Sequence, residues 1–375
     1  MPLFGPPNIE KLTATGDIPG LIKALNYEGD DGIIRQAAIA ALAQIGVAAV
    51  PALTQALQSS SPTIAAAAIE ALGKSRTPQA QAELRRLLKH PHRFLRAAAA
   101  RGLRFNPSVD SVFALQAALL DDEETARTAA TVLAQLNLPA AWQALQEMLG
   151  HPEFQARMAA VHGFSQAGTA ATPWLLDVLE NGNENARRAA ADLLGQLKPS
   201  EALPVLLDLL VDPSDYVALA AGGAIQRYGT TAVVPLLKAL VQGSDPLKTA
   251  AAQQLVNLGG QAERALLTAL QNADPDTRAR VALILGKIGQ AWVIPPLINL
   301  GRQEDPSLRY AAVQALAAVG GTRVIEAMIN FLDDENTYIR HEAREALIRL
   351  LETVETQALR NQIQGALHSH PPERS

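Results

Sequence analysis

The stretch Leu308-Arg309-Tyr310-Ala311-Ala312-Val313-Gln314-Ala315-Leu316 decides the fold, because its pattern recurs along the chain. Near the N-terminus it reads Ile34-Arg35-Gln36-Ala37-Ala38-Ile39-Ala40-Ala41-Leu42. The last residue heads a column, Leu42, Leu72, Leu103, Leu133, Phe164, Leu194, Ile225, Leu255, Leu285, Leu316 and Leu347, spaced by 30 or 31 residues. Four positions earlier stands a second column, Ala38, Ala68, Ala99, Ala129, Ala160, Ala190, Ala221, Ala251, Val281, Ala312 and Ala343. Two columns in register over eleven copies specify a stacked repeat array. The spacing predicts an all-α protein, a right-handed α-solenoid (α-α superhelix) of about eleven helical hairpins of 30–31 residues. First helices are expected on its convex side and second helices on its concave side.

Outward from that stretch, one repeat can be read from Gln290 to Gly320. Pro295 and Pro296 suit the start of a first helix, where a missing N–H costs nothing. Asp305 can cap the second helix, and Gly320 allows a left-handed C-cap. The inner turn repeats as Ser61-Pro62, His90-Pro91, His151-Pro152, Asp212-Pro213, Asp245-Pro246, Asp274-Pro275 and Asp305-Pro306. The outer turn repeats as Gly46, Gly168, Gly229, Gly259, Gly289 and Gly320, with Asn137 as a substitute. The array is expected to span 17–350 as one continuous solenoid. Residues 1–16 form an N-terminal cap with a short helix around Asn8 to Thr13, and 351–375 a C-terminal cap helix (Glu352 to His368) with a frayed tail.

Composition agrees with this architecture. Apolar residues make up 48% and aromatics 4%, so the core is Ala and Leu, both strong helix formers. With no cysteine, disulfides, thiolate metal sites and cysteine nucleophiles are excluded. No run of apolar residues reads as a membrane span and no signal peptide is evident, so a cytoplasmic location is expected. The net charge of −5 argues against general nucleic-acid binding. One block departs from the average: Lys74, Arg76, Arg85, Arg86, Lys89, Arg93, Arg96, Arg101 and Arg104 stand against the single acid Glu83.

A basic residue opens the second helix in eight repeats, at Arg35, Arg96, Arg157, Arg187, Lys248, Arg278, Arg309 and Arg340. Arg127 comes one place late, and Ala65 and Ala218 interrupt the series. This ladder could bind anions. Pairing with the turn acids Asp31, Asp122, Asp245, Asp274, Asp305 and Asp334 explains its periodicity better.

The Val-Arg-x-Ala-Ala-x-x-Ala-Leu pattern carried by residues 34–42 and 308–316 resembles the HEAT-like repeats of the bacterial bilin-lyase type. The resemblance covers Asp17 to Leu350. It implies a protein-binding scaffold, with a few lyases and one metal hydroxylase as special cases. Deoxyhypusine hydroxylase, which is similar in fold, places His-Glu pairs at the point where this chain has His341-Glu342. A di-iron centre needs several such pairs, and the equivalent residues elsewhere are Gln36-Ala37, Met158-Ala159, Arg188-Ala189 and Tyr310-Ala311. No phosphate-binding Gly-rich loop, Gly-x-Ser-x-Gly elbow or zinc spacing is present. Trp142, Trp174 and Trp292, early in first helices, are expected in core or edge packing.

The expectation is therefore a non-catalytic scaffold without a cofactor, binding a protein partner on the concave surface, an acidic one being suited to the basic block. Candidates on that surface are Arg101, Arg104, His162, Arg188, Asp192, Tyr310, Gln314, His341, Arg344 and Glu345, which are polar or bulky where the core needs nothing. The alternatives are an enzyme of the bilin-lyase or deoxyhypusine-hydroxylase type, and an anion or nucleic-acid binder acting through the basic repeat 77–106. In that repeat Arg85, Arg86, Lys89, Arg93 and Arg96 form the patch. It is short for a nucleic-acid track, and no membrane partner is expected.

Overall fold

The computed structural model describes residues 6–27, 32–59 and 61–371. Every regular element among them is helical, and they fall into two compact units, 1–199 and 200–375. The first unit opens with α1 (Ile9–Ala14), whose N-cap Asn8 accepts from the Lys11 N–H at 2.9 Å. Hairpins follow: α2/α3 (Ile18–Ala24, Ile33–Ile45), α4/α5 (Val50–Ala56, Pro62–Ser75) and α6/α7 (Pro78–Leu87, Arg93–Leu103). The unit is completed by α8/α9 (Val109–Ala118, Glu123–Leu136), α10/α11 (Pro139–Leu149, Phe154–Ala167) and α12/α13 (Thr172–Asn181, Glu184–Leu197).

The second unit contains α14/α15 (Ala202–Asp208, Asp215–Tyr228), α16/α17 (Val233–Gln242, Asp245–Leu258) and α18/α19 (Glu263–Asn272, Pro275–Ile288). Then come α20/α21 (Ile294–Leu300, Pro306–Val319), α22/α23 (Ile325–Phe331, Thr337–Thr353) and the terminal α24 (Gln357–Ser369). The eleven hairpins make the chain an all-α solenoid of repeated units. Second helices stack on second helices within each unit, α3 to α13 in one and α15 to α23 in the other. First helices stack likewise from α2 to α12.

Both sequence columns lie at these stacking surfaces. All eleven members of the small column are 0% exposed, and no member of the Leu column exceeds 1%. Burying each such Leu contributes about 1.5–3 kcal/mol, and the small residue lets the next second helix come close enough to cover it. The approach is close between α19 and α21, where a Cβ added to Gly286 would stand 2.6 Å from the Ala315 Cα, and between α5 and α7, where one added to Gly73 would stand 2.5 Å from the Gly102 carbonyl oxygen.

The turns follow the same chemistry. Gly46 and Gly229 adopt φ of 73° and 59°, where a Cβ would crowd the following carbonyl, and Asn137 takes φ 50° in the equivalent place. Arg76 (φ 53°) and Lys198 (φ 54°) do the same without the glycine expected there. Asp305 caps α21 through the Ser307 N–H at 2.8 Å, and Asp274 caps α19 through Thr277 at 3.0 Å. At Asp245-Pro246 the cap moves one residue back, to Ser244.

Among the described residues Ile33–Ala56 is the one stretch long and apolar enough to match a membrane span by length and composition, with a mean hydropathy of 1.8 over 18 residues, although Arg35, Gln36, Gln44 and Gln55 interrupt it. Its conformation is not one straight helix, because Gly46 at φ 73° separates α3 from α4. One boundary differs from expectation: the sequence places the C-terminal helix from Glu352, whereas α23 runs on to Thr353 and α24 begins only at Gln357. Val354, 3% exposed, occupies the intervening turn and anchors it in the core.

Candidate functional site

The ladder of basic residues comes first, because its disposition determines which cations remain for binding. Its guanidiniums close the preceding turn by donating to main-chain carbonyls. Arg96 reaches the His90 and Pro91 oxygens at 2.8 and 2.9 Å, and Arg157 those of His151 and Pro152 at 2.8 and 2.6 Å. Arg340 reaches Asp334 and Glu335 carbonyls at 2.6 and 2.9 Å; Arg35, Arg187 and Arg278 make equivalent bonds. A helix end leaves orphan carbonyls, and a five-donor fork satisfies two at once. The expected pairing with turn acids is thus only part of the role. It occurs for Arg96 with Asp121 and Asp122 (2.6 and 2.8 Å), for Arg309 with Asp334 and Glu335 (both 2.8 Å) and, more loosely, for Lys248 with the exposed Asp245 (3.6 Å). Asp274 and Asp305 are engaged as helix caps, and Asp31 lies outside the described residues.

Two histidines join this turn chemistry. His90 Nδ1 accepts from the His92 N–H at 3.1 Å, and His151 Nδ1 from the Glu153 N–H at 3.2 Å. Asp212 and Asp334 carboxylates make the same bond at 2.8 Å in their repeats. An accepting Nδ1 requires that ring proton to be absent. Burial lowers the His90 pKa, helped by the charges of His92, Arg86 and Arg96, which favours this neutral form.

The basic patch of 77–106 splits between the two helix layers. On the first-helix side, α6 and α8 enclose a cleft of about 1050 Å³. Arg85, Arg86, Lys89 and Arg96 line it together with Leu88, Phe113, Ala117 and Leu120. Arg86 is held by Glu83 at 2.6 Å, and Arg96 by its two aspartates. Arg85 has only a 3.9 Å approach to the exposed Asp110. No ion pair to Lys89 or Arg93 occurs among the described residues. Arg101 on α7 and Arg104 at its C-cap lie instead beside a small pocket of about 140 Å³, with Arg104 stacked 4.5 Å over the Phe105 ring.

On the second-helix side, α9 and α11 form a cavity of about 480 Å³ lined by Arg127, Phe154, Met158 and His162. Phe154 and Met158 are 68% and 48% exposed. Burial, with Arg127 nearby, lowers the His162 pKa. Sequence reasoning picked His162 but missed Phe154 and Met158. The signal was present, since Met158 occupies a column filled by Ala66 and Ala97 in earlier repeats. The same column holds Leu219 in the second unit, 77% exposed, next to Tyr216 at 65%.

The remaining candidates are dispersed. Arg188 is exposed and Asp192 half-buried on α13; Tyr310 and Gln314 are half-buried on α21. His341 is exposed, Glu345 is half-buried and Glu342 pairs with Arg349 at 3.3 Å. Arg344 donates to the Leu367 and His370 carbonyls, so its guanidinium fastens α24. No group of three or more His, Asp or Glu side chains placed to hold a metal occurs among the described residues. Trp142 is 2% exposed and stacks on Trp174 and Phe164 at 6.0 and 5.7 Å, which makes it core.

A profile described as HEAT repeats matches residues 18–104, 172–256 and 263–348, more than half of the chain. A comparison with curated proteins finds no match. Among solved structures the chain is similar to human deoxyhypusine hydroxylase in complex with glycerol, at 22% identity over 65% of this chain and 97% of that one, with a TM-score of 0.28. It is also similar to Kap121p bound to Pho4p, at 14% identity over 96% of this chain and a TM-score of 0.43, and spans 47% of that chain. Kap95p, described as inducing the switch loops of RanGDP to adopt the GTP-bound conformation, is matched at 13% identity over 96% of this chain and 60% of that one, with a TM-score of 0.36.

Proposed function

The chain belongs to the HEAT-repeat family, and on that premise we propose that it is a non-catalytic scaffold binding a protein partner through its second-helix surface. The observation that supports this reading is the exposure of Phe154 and Met158 around the α9/α11 cavity. Large apolar groups left in water beside a concavity are typical anchors of protein interfaces, and Met adapts its shape to a partner. In a chain with only 4% aromatic residues, such exposure stands out. His162, held neutral by burial, extends the apolar wall, while Arg127 and Glu123 supply a polar rim. Arg101, Arg104, Arg188, Asp192, Tyr310, Gln314, His341 and Glu345 are proposed as further contributors on the second helices of their own units.

The test compares wild type with a Phe154→Ser/Met158→Asp variant in affinity capture from source-organism lysate, read by quantitative mass spectrometry. The expected result is a protein captured by wild type and lost by the variant, with unchanged helicity. Equal capture by both would refute the assignment of this surface. About two irons per purified chain would instead favour the hydroxylase alternative.

A further inference from the structure

The α6/α8 cleft lies on the other helix layer of the first unit, so it cannot belong to the second-helix surface proposed above. Its two walls differ in chemistry. Arg85 in the last turn of α6 and Lys89 in the turn that follows it line the same wall of the cleft. Neither has a carboxylate closer than 3.9 Å among the described residues. From α8 and the turn after it, Phe113, Ala117 and Leu120 form an apolar stripe at helical spacing. Phe113 is 64% exposed and Leu120 46%, although both line a concavity. The other cations of the cleft are already engaged: Arg86 by Glu83, Arg96 by Asp121, Asp122 and two carbonyls.

We propose that this cleft is a docking site for an acidic peptide segment bearing a large apolar side chain, with its carboxylates on Arg85 and Lys89 and its apolar group on Phe113 and Leu120. Charge complementarity identifies the occupant. Lys89, which has no ion pair among the described residues, and Arg85, held only by a long 3.9 Å contact to the exposed Asp110, match two carboxylates at one edge, and the apolar wall opposite would be left wet by any ligand that is only an anion. A nucleic-acid backbone would need a longer cationic track, because each phosphate contact adds a similar electrostatic increment. Arg85 and Lys89 supply two such contacts, and Phe113, Ala117 and Leu120 on the facing wall supply none.

The experiment selects random 12-residue peptides displayed on phage against the full chain. Wild type is compared with Arg85→Glu/Lys89→Glu, with the milder Lys89→Gln and with Phe113→Ala; thermal melts verify folding. Wild type is expected to enrich acidic peptides containing Phe, Leu or Trp. A synthetic consensus peptide should lose about tenfold or more in affinity against the charge-reversed variant and about fivefold against Phe113→Ala. Raised salt should weaken it as well. Absence of enrichment on wild type, or equal enrichment on the charge-reversed variant, overturns the proposal. So does a 12-nucleotide single-stranded DNA that binds wild type better than the peptide and is indifferent to Phe113→Ala. The Phe154→Ser/Met158→Asp variant should bind the peptide normally, so failure of the second-helix reading and failure of this one are distinguishable.

Discussion

Arg96 in the first unit and Arg309 in the second occupy the same place in their repeats and make the same bonds. Each closes its turn through two carbonyls and crosses to two acids of the following repeat. Their surroundings are opposite. Around Arg309, Asp333, Asp334 and Glu335 supply at least as much negative charge as the clamp uses, and its side chain is 9% exposed like that of Asp334. Around Arg96 the neighbours are Arg86, Lys89 and Arg93, and its side chain and those of its aspartates are 16% and 28% exposed. A repeat thus uses one arginine to hold its turn wherever it stands. Cations beyond that one are not required by the fold, and only the region around 77–106 accumulates them.

The comparison can be broken most directly at its buried end. Arg309→Ala strands the Asp334 carboxylate and two carbonyls, and should cost about 3 kcal/mol in denaturant unfolding. A cost below about 1 kcal/mol would mean that the clamp is ornamental. Gly286→Ala probes the stack beneath it. The added methyl meets the α21 backbone and should cost about 2 kcal/mol in the same assay. Arg96→Ala, at the more solvated end, should cost about 1 kcal/mol, since water can replace part of what is lost. If it equals Arg309→Ala, burial does not separate the two sites. Lys89→Glu sharpens the contrast from the other side. Relief of repulsion with neighbouring arginines should leave stability unchanged or raise it by a few tenths of a kcal/mol, fading in high salt.

The smallest effect concerns the end of the second unit. His370 Nδ1 bonds the Ala366 carbonyl at 2.8 Å and Nε2 the Asp333 carboxylate at 2.9 Å, which raises its pKa above 6.5. A raised folded pKa makes the contribution fully present below the unfolded value and lost as pH rises through the folded one. Amide exchange in α24, corrected for its intrinsic pH dependence, should therefore be better protected at pH 6 than at pH 8. Asp333→Asn should flatten that difference; a difference of unchanged size would remove His370 as its cause.

The repeat, its columns and most of its punctuation were legible in the amino-acid sequence, the left-handed Arg76 and Lys198 excepted. The reason is that each is a local requirement repeated eleven times, so that a methyl at Ala190 or a left-handed residue at Gly168 can be recognised without knowing its neighbours. Binding surfaces are not periodic, and their legibility was correspondingly poor. His162 was recognisable, and Met158 carried a signal as a large residue in a column that holds Ala66 and Ala97, but Phe154 carried none, because an apolar residue on an amphipathic helix reads as core until its exposure is known. The ladder was visible as a column, while its carbonyl partners were not, since main-chain acceptors leave no mark in residue identity. Tertiary structure alone decided which arginines remained for binding, because engagement by a carbonyl or a carboxylate depends on distance. It placed Arg85 and Lys89 opposite Phe113 and Leu120, residues some thirty positions apart that only stacking of neighbouring repeats brings to one cleft.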